Sequence, residues 1–202
     1  MSRLSSASVL FASLLLAGFS YAGDTYDVDP AHSTVGFTVQ HLVISKVSGA
    51  FKDFTGTVEL DDKGAIVAAE ATGQTTSIDT RNEKRDEHLR SADFFDVAKY
   101  PTITFKSTAA KEVGGKKVLE GELTIHGVTK TVSAPYVLTG PIVDPWGKTR
   151  IGIEAGITIN RADYGLTWNK ALETGGMVVS DEVAISVNLE AVKKDVAAVD
   201  AK

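Results

Sequence analysis

A chain of 202 residues with 18 glycines, 5 prolines and no cysteine has room for one domain with a sizeable core and falls short of a comfortable two. Lys and Arg number 21 against 26 Asp and Glu, which argues against a nucleic-acid partner, since that role calls for a basic excess on one face. With no disulfide available, the apolar core alone must hold the fold, as it can in a domain of this size.

The first 22 residues differ from the rest. Arg3 and the amino terminus are positive, Val9 to Phe19 is apolar, and Ser20-Tyr21-Ala22 offers the small residues that a signal peptidase reads. The expectation is an export signal over 1–22 cleaved after Ala22, a domain over 23–193, and a tail over 194–202 where alternation is lost. The alternative, a membrane anchor, meets an apolar run well short of the ~20 residues a spanning helix needs.

From residue 33 onward the apolar residues recur with a period of two. Val35, Phe37 and Val39 alternate with polar neighbours, as do Phe54, Val58 and Leu60, Ile103 and Phe105, and Leu123 and Ile125. The longest runs are Ile151 to Ile159 and Val183 to Ala191. Turn signals at Asp61-Asp62-Lys63-Gly64, Gly114-Gly115, His126-Gly127 and Asp144-Pro145-Trp146-Gly147 separate them. This pattern predicts eight antiparallel strands over 33–40, 46–60, 65–78, 101–112, 116–126, 129–140, 149–160 and 182–192.

Such a meander can protect its edges by closing into a barrel or stacking as a sandwich. An eight-stranded barrel is either filled by its own side chains or holds one small ligand. Small or medium residues at candidate inward positions (Gly56, Val58, Val132, Ala134, Ala155) are compatible with an unfilled interior, and are equally ordinary in a strand core.

Two long segments interrupt the meander. Residues 82–90 fit a short helix with Asn82 as its cap and His88 and Arg90 near its negative end. The helix and the following Phe94 and Phe95 read as a flap over the barrel mouth, with Lys84, Asp86 and Glu87 facing water. The second segment, 160–183, carries Asn160, Arg161, Asp163, Tyr164 and Trp168, suited to a lipid rim or to a packed loop capping the barrel floor. Met177 fits the cavity lining or the loop's own core.

Catalytic and metal chemistry find little footing. There is no GxSxG and no cysteine, and Ser33 beside His32 points to the opposite face of a strand. The four histidines, 32, 41, 88 and 126, have no metal-ligand spacing. No catalytic residue, metal or cofactor is expected.

Five stretches read together resemble the YceI-like family of bacterial periplasmic proteins. They are YDVDPAHSTVGFTVQHL at 26–42, SIDTRNEKRDEHLRSADFFDVAKYPTITFKS at 77–107, GELTIHGVTK at 121–130, DPWG at 144–147 and INRADYGLTWN at 159–169. The resemblance implies an all-β fold, an eight-stranded antiparallel up-and-down barrel of lipocalin-like form, whose apolar cavity binds a polyisoprenoid or similar amphiphile in the periplasm. It attaches no catalytic reaction to the family.

On that reading the ligand wall comprises Phe37, Val39, Phe51, Phe54, Leu89, Phe94 and Phe95 from the first half of the chain. Ile103, Phe105, Ile125, Ile153, Ile157, Trp168 and Ile185 complete it. A phosphate-bearing head group would meet His32, Arg85, His88, Arg90 and Arg161, because guanidinium forks match phosphate oxygens. Otherwise Arg85, His88 and Arg90 pair with Asp93 or Asp96, and His32 fixes its own corner. The expected partner is one isoprenoid or other long-chain lipid, with no nucleic acid and no membrane span; a homodimer stays open.

Overall fold

A computed structural model describes residues 23–173 and 175–195; the expected signal over 1–22 and the tail beyond 195 lie outside the described residues. The strand segments are β1 (Asp24–Val28), β2 (Thr34–His41), β3 (Ser45–Phe51), β4 (Phe54–Leu60), β5 (Ile66–Gln74), β6 (Ile78–Asp79), β7 (Thr102–Val113), β8 (Lys116–Ile125), β9 (Val128–Val143), β10 (Thr149–Asn160) and β11 (Val179–Lys193), with one α-helix, α1 (Glu83–Arg90).

These segments make eight wall strands, because the first three are each broken. β1 and β2 form one strand bent at 29–33, β3 and β4 one strand bent at Lys52-Asp53, and β5 and β6 one strand interrupted by a turn of 3-10 helix at Thr75–Ser77. Each pairs antiparallel with its neighbours. β11 closes the ring by pairing with β1 (Val28 opposite Ala191) and with β2 (Val35 opposite Val187). The result is a closed eight-stranded antiparallel barrel.

Two expectations need correction. The first wall strand begins at Asp24, not 33; β1 was missed because in Asp-Thr-Tyr-Asp-Val only Tyr26 and Val28 turn inward, too short a pattern to stand out. The run 46–60 is not one strand, because Lys52 and Asp53 leave the ladder and bond the flap connector through Ser77 O and Gln74 N.

The core divides in two. At the end away from α1, Tyr26, Leu60, Ile66, Tyr136, Ile151 and Ala191 pack into a floor. Burying each of the larger side chains contributes about 1.5–3 kcal/mol. Arg150 ties this end together: its Nη1 donates to Asp29 Oδ2 (3.0 Å) and Glu190 Oε1 (2.5 Å), and its Nε to Asp144 Oδ2 (2.6 Å). One side chain thus links the β1–β2 bend, the β9–β10 turn and β11. At the other end Phe94, Leu123, Ile125, Tyr164 and Leu166 form a second cluster beneath the flap.

The flap is built as a capped helix folded back on the barrel. Asn82 Oδ1 accepts from Arg85 N (3.1 Å), and Ser91 Oγ donates to His88 O (2.7 Å). Phe95 N then returns to Leu89 O (3.0 Å), carrying Phe94 and Phe95 down over the opening.

Candidate functional site

Between the floor and the flap lies a cavity of about 470 Å³, within the range of small-molecule sites. Its wall follows the period-two alternation: Val35, Phe37 and Val39 from β2, Ile103 and Phe105 from β7, Ile153, Ala155 and Ile157 from β10, Val183, Ile185 and Val187 from β11. Phe51, Phe54 and Ile125 add to it from β3, β4 and β8, and Leu89, Phe94, Phe95 and Trp168 cover it from the flap and the 161–178 loop. The structure therefore places all fourteen residues expected at the ligand on one surface.

Two glycines keep that space open. A Cβ on Gly49 would lie 2.5 Å from Phe37 Cζ, and one on Gly121 would lie 2.5 Å from Phe105 Cζ. Each phenylalanine ring therefore leans across the bare backbone of the neighbouring strand instead of standing in the lumen.

Thr55, Thr57, Glu70, Thr72 and Thr104 border the cavity along β4, β5 and β7, and at the flap end it meets His41, Thr80, Arg85, His88 and Arg161. Arg85 Nε donates to Thr80 Oγ1 (2.7 Å) and its Nη2 to Thr80 O (2.8 Å). The Thr80 hydroxyl in turn donates to Asp86 Oδ1 (2.5 Å), which also accepts from Thr80 N (2.9 Å). Arg85 is thus held from one side, and its Nη1 has no protein acceptor among the described residues. His88 Nε2 lies 2.9 Å from Asp93 Oδ2, and its ring stands edge-on to Phe94 and Trp168, with centroids 5.1 and 4.9 Å away. That aromatic trio joins the flap to the 161–178 loop.

Arg161 is differently employed. Its Nε donates to Ser180 O, its Nη1 to Leu166 O and Trp168 O, and its Nη2 to Asp181 Oδ1, at 2.6–2.9 Å. It organises the loop more than it offers donors to a ligand.

Several expected placements differ. Arg90 lies off the cavity wall, because its guanidinium serves Thr76 O, Ile78 O and Glu83 Oε1. His32 is 60% exposed at the β1–β2 bend, where its Nδ1 lies 2.9 Å from Asp29 Oδ2. Asp86 does not face water: it is 3% exposed, drawn in by the Thr80 hydroxyl and amide. Met177 is exposed beside Ala171, off the wall, and Gly56 lies outside the lining.

Tyr164 is buried in the second core cluster and not at a wet rim; burial pushes its phenol, and that of Tyr136, above the ordinary range, so both are neutral. Asp29, His32 and Glu190 bring ligand atoms within 4.8 Å of one another, but Arg150 already bonds both carboxylates and fills the position a cation would take.

His41 and Thr80 are two polar wall residues missed in the sequence. His41 continues the parity of Val35, Phe37 and Val39, a signal that could have found it; Thr80, beyond the end of a broken strand, has none.

Residues 26–191 match the model of the YceI-like domain. The chain belongs to the YceI-like family. It is 40% identical over 187 residues to Protein YceI of Escherichia coli O157:H7, a match covering 91% of this chain and 95% of that one. Among solved structures it is similar to BcnA of Burkholderia cenocepacia, with a TM-score of 0.70 and 28% identity over 81% of this chain and 98% of that one. A YceI-like protein of Campylobacter jejuni gives 0.67 and 30%, covering 77% and 90%. A polyisoprenoid binding domain from Saccharophagus degradans, implicated in plant cell wall breakdown, shares the fold with a TM-score of 0.63 at 18% identity, covering 84% and 98%.

Proposed function

We propose that the YceI-like domain is a periplasmic carrier for one long-chain, isoprenoid-like amphiphile, delivered across the inner membrane by the signal at 1–22. The observation that carries this reading is the deep apolar cavity whose side-chain cations sit at one end. Family membership and the polyisoprenoid-binding description of the Saccharophagus degradans domain support the choice of ligand class.

The energetics suit such a ligand. Burying a chain contributes about 0.8 kcal/mol per methylene, so about twenty carbons outweigh an association cost of roughly 4–15 kcal/mol with no strong polar contact. The wall then selects for length and flexibility, and the head group is selected at the mouth. Arg85, with donors to spare, and His88 are the residues for an anionic head group; His41 adds a third polar group.

Binding is favoured over hydrolysis by the state of the nearest nucleophile. Ser33 Oγ donates to Glu190 O (3.2 Å) and accepts from Glu190 N (3.0 Å), while His32 Nδ1 is engaged by Asp29. The two are fixed to different partners.

The test is an organic extract of protein purified from its native host, read by mass spectrometry. A prenyl-chain lipid is expected from the wild type and none from Ile185→Trp, whose indole fills the lumen, with the β-sheet circular dichroism unchanged. Absence of lipid from the wild type, or undiminished lipid in the folded variant, overturns the carrier reading.

A further inference from the structure

The turn between β2 and β3 has unusual chemistry. Leu42 (φ 51°) and Val43 (φ 64°) are both in the left-handed region, and Ile44 N closes the turn on His41 O at 3.2 Å. Asn and Gly are the residues that such central positions favour, and a β-branched side chain there is a steric outlier. Strain of this kind persists only where the surrounding structure imposes it, and it clusters at functional sites.

The side chains it presents are apolar and face solvent: Val43 is 62% and Ile44 84% exposed. Met177, 52% exposed, belongs to the loop against which the turn packs. Leu42 N donates to Val178 O at 2.9 Å, and a Cβ on Gly176 would lie 3.1 Å from Val43 Cγ2. Two distant segments thus form one apolar surface. Both run without interruption into the cavity wall, through His41 on one side and Val178 and Val179 on the other. The exposed Ile142, Val143 and Trp146 lie at the opposite end, on and beside the β9–β10 turn that Arg150 ties to the floor.

We propose that the 42–44 turn and the Met177 loop dock the barrel's mouth onto a lipid bilayer, inserting Val43, Ile44 and Met177 among the acyl chains so that the ligand passes between bilayer and cavity without crossing water. This rests on the carrier reading, which makes the ligand a membrane lipid. The only ionisable groups on the two segments and their edges, over 42–46 and 170–178, are Lys46, Lys170 and Glu173, nearly balanced. Apolar insertion, not charge, therefore drives docking, and about 0.5 M salt leaves it in place.

The test uses vesicles of phosphatidylethanolamine and phosphatidylglycerol and an NBD-labelled C20 prenol. Wild type floats with the vesicles at high salt and extracts the probe from them. Val43→Asn/Ile44→Ser, which puts a residue tolerant of left-handed φ in the turn, keeps its thermal midpoint but loses vesicle partitioning and extraction rate by about ten- to a hundredfold. Its uptake of the same probe from detergent micelles is unchanged, since neither residue lines the cavity. Failure of the wild type to float, or equal extraction by the variant, overturns the docking surface. Failure of both proteins to take the probe from micelles overturns the carrier reading instead, while flotation still decides docking.

Discussion

The two ends of the barrel are built from the same alternating strands yet finished in opposite ways. At the floor, Tyr26, Leu60, Ile151 and Ala191 close the lumen with side chains from the wall itself, and Arg150 is paired with three carboxylates. At the mouth, cover comes from outside the wall, from the 75–101 connector and the 161–178 loop, and Arg85 bonds only the hydroxyl and carbonyl of Thr80 among the described residues. Filling an end with wall residues yields stability. Covering it with an inserted segment leaves a cavity beneath the cover.

That contrast is broken most sharply at the floor. Tyr26→Ala removes a ring that is 1% exposed and should cost about 3–5 kcal/mol in denaturant unfolding. Leu89→Ala, on the flap, should cost about 1 kcal/mol or less, because its side chain faces unfilled space. Equal losses would show that the mouth is packed like the floor. Arg161→Met comes next: it strands the carbonyls of Leu166, Trp168 and Ser180, and should destabilise by about 2–3 kcal/mol. If Arg161 acted chiefly on a head group, the variant would instead lose ligand at unchanged stability.

A smaller effect is expected at the clip that holds Arg85. Thr80→Val deletes the hydroxyl between Arg85 Nε and Asp86, for a stability loss of about 1–2 kcal/mol. The sharper readout is selectivity: preference for a prenyl phosphate over the neutral prenol, measured by competition, should fall, because the guanidinium is no longer held toward the lumen. Unchanged preference would remove Arg85 from the head-group site.

What could be read from sequence follows the length scale of the signal. β10 and β11 alternate over a dozen residues or more, so their inward faces, and with them Ile153, Ile157 and Ile185, were legible. β1 is five residues and lay unseen, although its pairing with β11 is what closes the ring. Asp86 was misread for another reason. A carboxylate among five other charged side chains in a helix looks solvated, and its partner is a threonine six residues earlier whose position depends on how the chain turns out of β6. Arg90 and Arg161 carry the right chemistry for an anion and spend it on backbone carbonyls, a choice set by which loop ends are buried beside them and not by residue type.

The smallest predicted effect concerns the floor's ion network. Asp29 is held below the usual carboxylate range by its hydrogen bond with His32 and then by Arg150, and Asp144 chiefly by Arg150. In the unfolded chain both titrate near the ordinary value of about 3.9. Between that value and the lower folded ones the unfolded state binds more protons, so the stability these groups supply is present above pH ~4 and is lost as pH falls through their folded values. Thermal midpoints should therefore drop on acidification below about pH 4. In Arg150→Met, whose folded carboxylates return toward ordinary values, the midpoint should start lower at neutral pH and fall less steeply. Parallel curves for the two proteins would mean that Arg150 is a packing element at the seam and not the group that holds Asp144 ionised.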